Sequence, residues 1–222
     1  MDLISYMFGY NKGKAHGGGG GTTADMIAEG GHAVINLPNA TKIKDYAFFF
    51  DLELTSVNAP SATNVGGNAF NYCRNLVQIS IPTATNISMS AFKDCKNLEY
   101  VEFSDDLEYI EENAFENCEK LQIRQDFPRA LLLISDYTFA GCKSLKYLDF
   151  PRNLEHIYDS AFRGCTGLLA VSFLGTPEYI DEKAFILCPN LANIYVPWAE
   201  GEVAGAPWGA ENATIHYNCT FE

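Results

Sequence analysis

The stretch Ala91–Phe103, AFKDCKNLEYVEF, decides the fold. Alone it offers a cysteine, Cys95, three residues after Phe92 and three before Leu98. A lone cysteine serves as a nucleophile, a metal ligand or buried filler, and the rest of the chain chooses between these because the phrase recurs. Ala-Phe stands at Ala47-Phe48, Ala69-Phe70, Ala91-Phe92, Ala114-Phe115, Ala161-Phe162 and Ala184-Phe185, with Thr138-Phe139 as a variant. Successive Phe positions are 22, 22, 23, 24, 23 and 23 residues apart. Six of the seven units carry a cysteine three residues later, at Cys73, Cys95, Cys118, Cys142, Cys165 and Cys188, and the first has Asp51 there. All seven carry a leucine three further on: Leu54, Leu76, Leu98, Leu121, Leu145, Leu168 and Leu191. Five residues before each Phe stands Ile43, Val65, Ile87, Ile110, Ile134, Ile157 or Ile180.

Coincidence at three or four positions over seven units marks a solenoid, and a period of 22–24 falls in the leucine-rich-repeat range. One unit cannot bury its apolar side alone, whereas stacked units share a continuous core. After each leucine an alternating segment follows, such as LEYVEF (Leu98–Phe103) or LKYLDFP (Leu145–Pro151), which predicts a half-buried strand. Pro60, Pro82, Pro151 and Pro197, each six residues after the repeat leucine, suit the strand end, since proline donates nothing to a ladder. The xxxAFxxC segment reads as a helical or 3-10 turn with Phe and Cys inward. The unit LQIRQDFP sets Pro128 seven after Leu121, one residue late, which predicts a bulge or a widened turn.

Three regions follow. Residues 1–32 hold no repeat and include the glycine run HGGGGG (His16–Gly21), expected to be a flexible linker. Residues 33–200 form a solenoid of about seven units. Residues 201–222 form a C-terminal cap; Trp198 and Trp208 are expected to cover the last core layer, and ATIHY (Ala213–Tyr217) to add a final strand.

At this point the repeats carry a resemblance. The phrase AFxxCxxLxxIxFP…I…AF resembles the BspA-like bacterial leucine-rich repeat, and the match spans residues 33–200. The resemblance implies an α/β, right-handed leucine-rich-repeat solenoid. Its parallel β-sheet would lie on the concave face, with short helical or 3-10 turns on the outer side. Members of that family are mostly surface or secreted adhesion and protein-binding modules, and others come from prophage regions. The family brings no catalytic motif.

The bulk numbers exclude several classes. A net charge of -13 opposes a nucleic-acid role, which needs clustered Lys and Arg, and repels anionic membranes. No run of 18 apolar residues predicts a membrane span. The apolar stretch Leu3–Phe8 is too short for a signal-peptide core and lacks a preceding basic region, so no export signal is expected.

The cysteines, seven with Cys219, contain no Cys-x-x-Cys pair and are expected to be free, buried thiols rather than zinc ligands. The four histidines have no partner at metal-binding spacing; His156, beside Glu155, reads as a solvated loop residue. The carboxylate-rich EYIEEN (Glu108–Asn113) and EYIDEK (Glu178–Lys183) recur at equivalent repeat positions and read as a charged rim rather than a glycosidase pair. No cofactor, metal or catalytic residue is therefore assigned, and the chain is read as a non-enzyme.

The outward strand positions, two and four after each repeat leucine, attract more interest. They include Tyr100, Glu102, Tyr147, Asp149 and Tyr195, an expected stripe of tyrosines and acids. Exposed tyrosine offers large contact area at low entropic cost, which suits a protein or glycan partner. Cross-strand tyrosine packing that supports the sheet is the other reading of the same residues. The leading functional expectation is an adhesion or interaction module. The alternative is a prophage or virion-associated assembly component, with Leu3–Phe8 docking into a larger particle.

Overall fold

The computed structural model describes residues 25–29, 32–123 and 127–219. The chain is a parallel-sheet β-solenoid of about eight turns. Six turns pass through a strand of one sheet, a two-residue strand of a second sheet, and the Ala-Phe segment; the turn that opens at Leu121 shows the last two among its described residues.

The long-strand sheet is described in two parts. The first joins Asp25–Glu29, His32–Asn36, Leu54–Asn58, Gln78–Ser80 and Tyr100–Glu102. Asp25–Glu29 is antiparallel to His32–Asn36 and the other pairings are parallel. The second part joins Tyr147–Phe150, Ala170–Phe173, Asn193–Tyr195 and Thr214–His216, all parallel. Between them lies the turn that opens at Leu121. The bulge expected there falls at 124–126, outside the described residues, as do the glycine run and the apolar stretch Leu3–Phe8. The short-strand sheet runs unbroken through seven parallel strands, from Lys42–Ile43 to Tyr179–Ile180.

The repeat positions face one core. The leucines from Leu54 to Leu191 are buried, as are Val57, Ile79, Val101, Leu148, Val171 and Ile194, each three residues after one of them. The second residue of each short strand, from Ile43 to Ile180, is buried too. The seven phenylalanines stack face to face along the solenoid, with centroids 5.1 Å apart from Phe48 to Phe115 and 5.3–5.4 Å apart from there to Phe185. Removing one such ring costs about 3–5 kcal/mol in a core that cannot collapse.

The Ala-Phe segment corrects one expectation: no helix, α or 3-10, occurs among the described residues. The reason lies in where its N–H groups point. Asn68, Phe70 and Tyr72 donate to the carbonyls of Met89, Ala91 and Lys93 in the next turn, at 3.0, 2.7 and 2.8 Å. The alternate groups of Ala69, Asn71 and Cys73 donate three residues back, to Gly66, Asn68 and Phe70. Aiming every second N–H along the solenoid requires left-handed backbone on both sides of the Phe. Asn68 and Tyr72 have φ of 55° and 62°, and Ser90, Asp94, Asn113 and Asn117 repeat the pattern. A 3-10 turn needs consecutive negative φ, so it cannot form. Gly141 takes the left-handed position at φ 72°, and a Cβ there would lie 2.6 Å from Asn117 Oδ1.

Polar rows tie the turns further. Asn75, Asn97, Asn190 and Asn212 each donate a side-chain N–H to a carbonyl one turn back, at 2.7–3.2 Å. Glu119 accepts from Lys96 and Lys143 on the turns either side, both at 3.0 Å, and Lys143 and Lys96 hold its carboxyl below the usual range.

At the C-terminal end Phe185 N donates to Trp208 O at 2.9 Å, so the cap supplies the carbonyl that a further turn would have provided. Trp208 is fully buried, donates its indole N–H to Ala204 O at 2.7 Å, and meets Phe173 and Trp198 at 6.3 and 6.4 Å.

Leu187 tests the backbone account. It sits at the left-handed position after Phe185 with φ 61° and is 58% exposed, so it carries strain without much packing in return. A β-carbon-bearing residue that cannot bond locally costs about 1–2 kcal/mol there, and asparagine costs less. Leu187→Asn is expected to raise stability by about 1 kcal/mol, or about 2–4 °C in melting temperature. An unchanged or lower melting temperature in a calorimetric scan counts against the account.

Candidate functional site

The cysteines, the first chemical suspects, form a buried column. Each of the six repeat thiols donates to the carbonyl of the Phe one turn earlier: Cys73 to Phe48, Cys95 to Phe70, Cys118 to Phe92, and so on to Cys188 and Phe162, at 2.9–3.2 Å. All are free, and Cys219, part-exposed near the C-terminus, is free as well. Burial pushes the thiols of Cys73, Cys95, Cys118, Cys142 and Cys165 upward, away from the reactive thiolate. No group of three or more His, Cys, Asp or Glu among the described residues is placed to hold a metal ion.

The long-strand face organises the outward residues into two rows, because parallel register sets equivalent positions side by side. The row two after the leucine reads Ser56, Gln78, Tyr100 and then, beyond the Leu121 turn, Tyr147, Ala170, Asn193 and Thr214. The row four after reads Asn58, Ser80, Glu102 and then Asp149, Ser172, Tyr195 and His216. Tyr100 and Tyr147 thus occupy one row, and Glu102, Asp149 and Tyr195 the other. The five residues do not form a continuous stripe, since the Leu121 turn separates the first pair from the rest.

Neighbours in the second row are bonded. Ser80 Oγ donates to Glu102 Oε2 at 2.6 Å, and Ser172 Oγ donates to Asp149. Tyr195 stacks on His216 at 4.6 Å, and His216 Nε2 lies 2.9 Å from Asn193 Oδ1. These contacts preorganise the row. Tyr147 differs: 65% of it is exposed, the highest value for any large apolar or aromatic side chain among the described residues.

Beside Tyr147 an open cleft of about 500 Å³ is lined by Gln122, Ile123, Lys143, Ser144, Leu145 and Lys146. Ile123 stands two after Leu121, the position that Tyr100 and Tyr147 hold in their own turns. Sequence reasoning missed Ile123 and the lysines because it read the Leu121 unit only as a departure. It missed His216 because the final strand has no repeat leucine to align on. Counting positions from the leucine would have found Ile123.

The stacking of seven phenylalanine units, the parallel ladders and the two-row face define a leucine-rich-repeat solenoid. A model of the BspA type leucine-rich repeat region matches six copies over residues 33–125 and 123–201, and the chain belongs to that family. Among solved structures, the T. pallidum leucine-rich-repeat protein is 26% identical, with a TM-score of 0.58 over 78% of this chain and 81% of that one. The pneumococcal vaccine antigen PcpA is similar in fold, at 15% identity and a TM-score of 0.56, over 81% of this chain and 45% of that one. A leucine-rich cell surface protein from Faecalibacterium prausnitzii aligns at 19% identity and a TM-score of 0.46, over 77% of this chain and 68% of that one. No curated protein matches the chain.

The thiol column gives a direct check. In the native protein at pH 8, Ellman's reagent is expected to titrate Cys219 quickly and the six buried thiols only slowly; in denaturant all seven react. Fewer than seven free thiols after non-reducing denaturation contradicts the column.

Proposed function

We propose that the chain is a non-catalytic binding module for a protein or glycan partner, in an adhesion or interaction role, and that the long-strand face is the contact surface. Tyr147 carries the reading. A tyrosine held on a rigid strand and 65% exposed presents a large ring at little entropic cost. Along the same face stand carboxylates at Glu102 and Asp149, the tyrosines Tyr100 and Tyr195, and the hydroxyl of Ser80. Cross-strand hydrogen bonds hold Glu102, Ser80 and Asp149, and Tyr195 stacks on His216, which lowers the ordering cost of binding. Ring faces and fixed hydroxyl or carboxylate acceptors suit a sugar or a polar protein surface equally, so the partner class is left to experiment. A repeat array offers this surface over many turns, in keeping with weak contacts that sum along a row.

The experiment has two arms. The purified chain is first screened on a glycan array and against surface and matrix protein extracts. The strongest partner is then measured against Tyr100→Ala with Tyr147→Ala. The double variant is expected to weaken binding by about 2 kcal/mol or more, roughly thirtyfold, with an unchanged melting temperature. Undiminished affinity places the contact elsewhere.

A further inference from the structure

The short-strand sheet presents a second face that the long-strand reading leaves unused. Each of its strands sends one residue inward and one outward. Over the first three turns the outward residues are Lys42, Asn64 and Asn86. Over the next four they are Tyr109, Leu133, His156 and Tyr179, in register from strand to strand. Tyr109 and Tyr179 are 39% and 44% exposed. Tyr158, two residues after His156, stacks on it at 5.6 Å and meets Tyr179 at 6.2 Å. The result is a band with aromatic rings on three of four consecutive turns and Leu133 on the remaining one.

The charge follows the same four turns. Glu108, Glu155 and Glu178 precede the band, where the first three turns hold Thr41, Thr63 and Thr85. Glu111 and Asp181 follow it, where the first three turns hold Lys44, Gly66 and Ser88. One long contact offsets this charge, Lys183 to Glu182 at 4.0 Å, and the His156 ring lies 4.0 Å from Glu178. Asp136 sits within the field: partial burial, followed by the charges of Glu112, Asp159 and Asp181, raises its carboxyl above the ordinary range. Aromatic rings and carboxylates therefore concentrate on one half of the face, whereas the other half sets Lys42 and Lys44 beside Asp45 and Tyr46 in its first turn and presents Asn64 and Asn86 in the next two.

We propose that this band binds an arginine-bearing segment of a partner protein. A guanidinium stacks on tyrosine faces and takes a carboxylate in a bidentate fork, so both components of the band act on one side chain. Four strands at the usual spacing of about 4.8 Å span roughly 15–20 Å, which accommodates about five residues of extended chain. The negative field repels nucleic acid and anionic membrane, which leaves a cationic peptide as the complementary occupant. The proposal does not depend on the long-strand face, because it uses another sheet and other residues.

The test uses the full chain and fluorescein-labelled nona-arginine, with nona-lysine for comparison, followed by anisotropy at physiological salt. Saturable binding of nona-arginine is expected, tighter than that of nona-lysine. The triple variant Glu108→Gln, Glu155→Gln, Glu178→Gln is expected to weaken it by about tenfold. A charge-matched triple away from this sheet, Glu53→Gln, Glu99→Gln, Glu211→Gln, is expected to weaken it less than about twofold. Tyr109→Leu with Tyr179→Leu is expected to erase the preference for arginine. Absence of saturable binding, or equal loss in the two triples, overturns the proposal; equal loss assigns any affinity to net charge alone. Matching circular dichroism and melting temperatures for all variants confine the effect to the surface.

Discussion

A turn of this chain cannot satisfy its own backbone. Every second N–H of the Ala-Phe segment points along the solenoid and finds its acceptor only in the next turn, as Phe70 does in Ala91 and Phe115 in Thr138. Unpaired buried N–H groups cost about 1–3 kcal/mol each, so turns are stable only as a stack. The rest follows from that constraint. The period stays between 22 and 24 because each turn must present the same groups at the same height. Left-handed residues recur because only they aim alternate N–H groups outward from the turn. The last turn needs a surrogate, and the carbonyl of Trp208 is that surrogate.

Stacking also turns each repeat position into a row, and the rows divide between support and surface. The buried rows are nearly uniform: phenylalanine rings face to face and thiols on carbonyls. Uniformity is required there because a row of one side chain at one spacing leaves no room for variation in volume. The exposed rows vary freely. On the long-strand face they alternate hydroxyl, acid and tyrosine; on the short-strand face they change from lysine and asparagine to largely aromatic and acidic halfway along. Functional character in such a molecule resides in where a row departs from its neighbours.

The core and the location of the outward positions were legible in the sequence. Leu98, Val101, Phe92 and Cys95 are buried as their spacing demands, and Tyr100 and Glu102 alternate with them because a strand has a period of two. The helical turn was misread for a physical reason. Ala-Phe-x-x-Cys matches helical spacing, and a pattern of side chains says nothing of where backbone N–H groups bond. Asn68, Ser90, Asn113 and Asn117 were the available signal, since asparagine tolerates left-handed backbone better than most residues. The candidate face was only half legible. Its residues could be named, but which ones share a row, and that His216 stacks on Tyr195, depended on register across turns.

The sequence by itself determined that this is a repeating solenoid, which residues fill it, and that its cysteines are filler, because burial of one apolar row per turn is a local, periodic requirement. The tertiary structure decided the hydrogen-bonding of the Phe turns, the separation of Tyr100 from Tyr147 and Asp149, the closing role of Trp208 and the union of tyrosines and acids on the short-strand face. Those depend on contacts between residues more than twenty positions apart, and only the stacked chain brings them together.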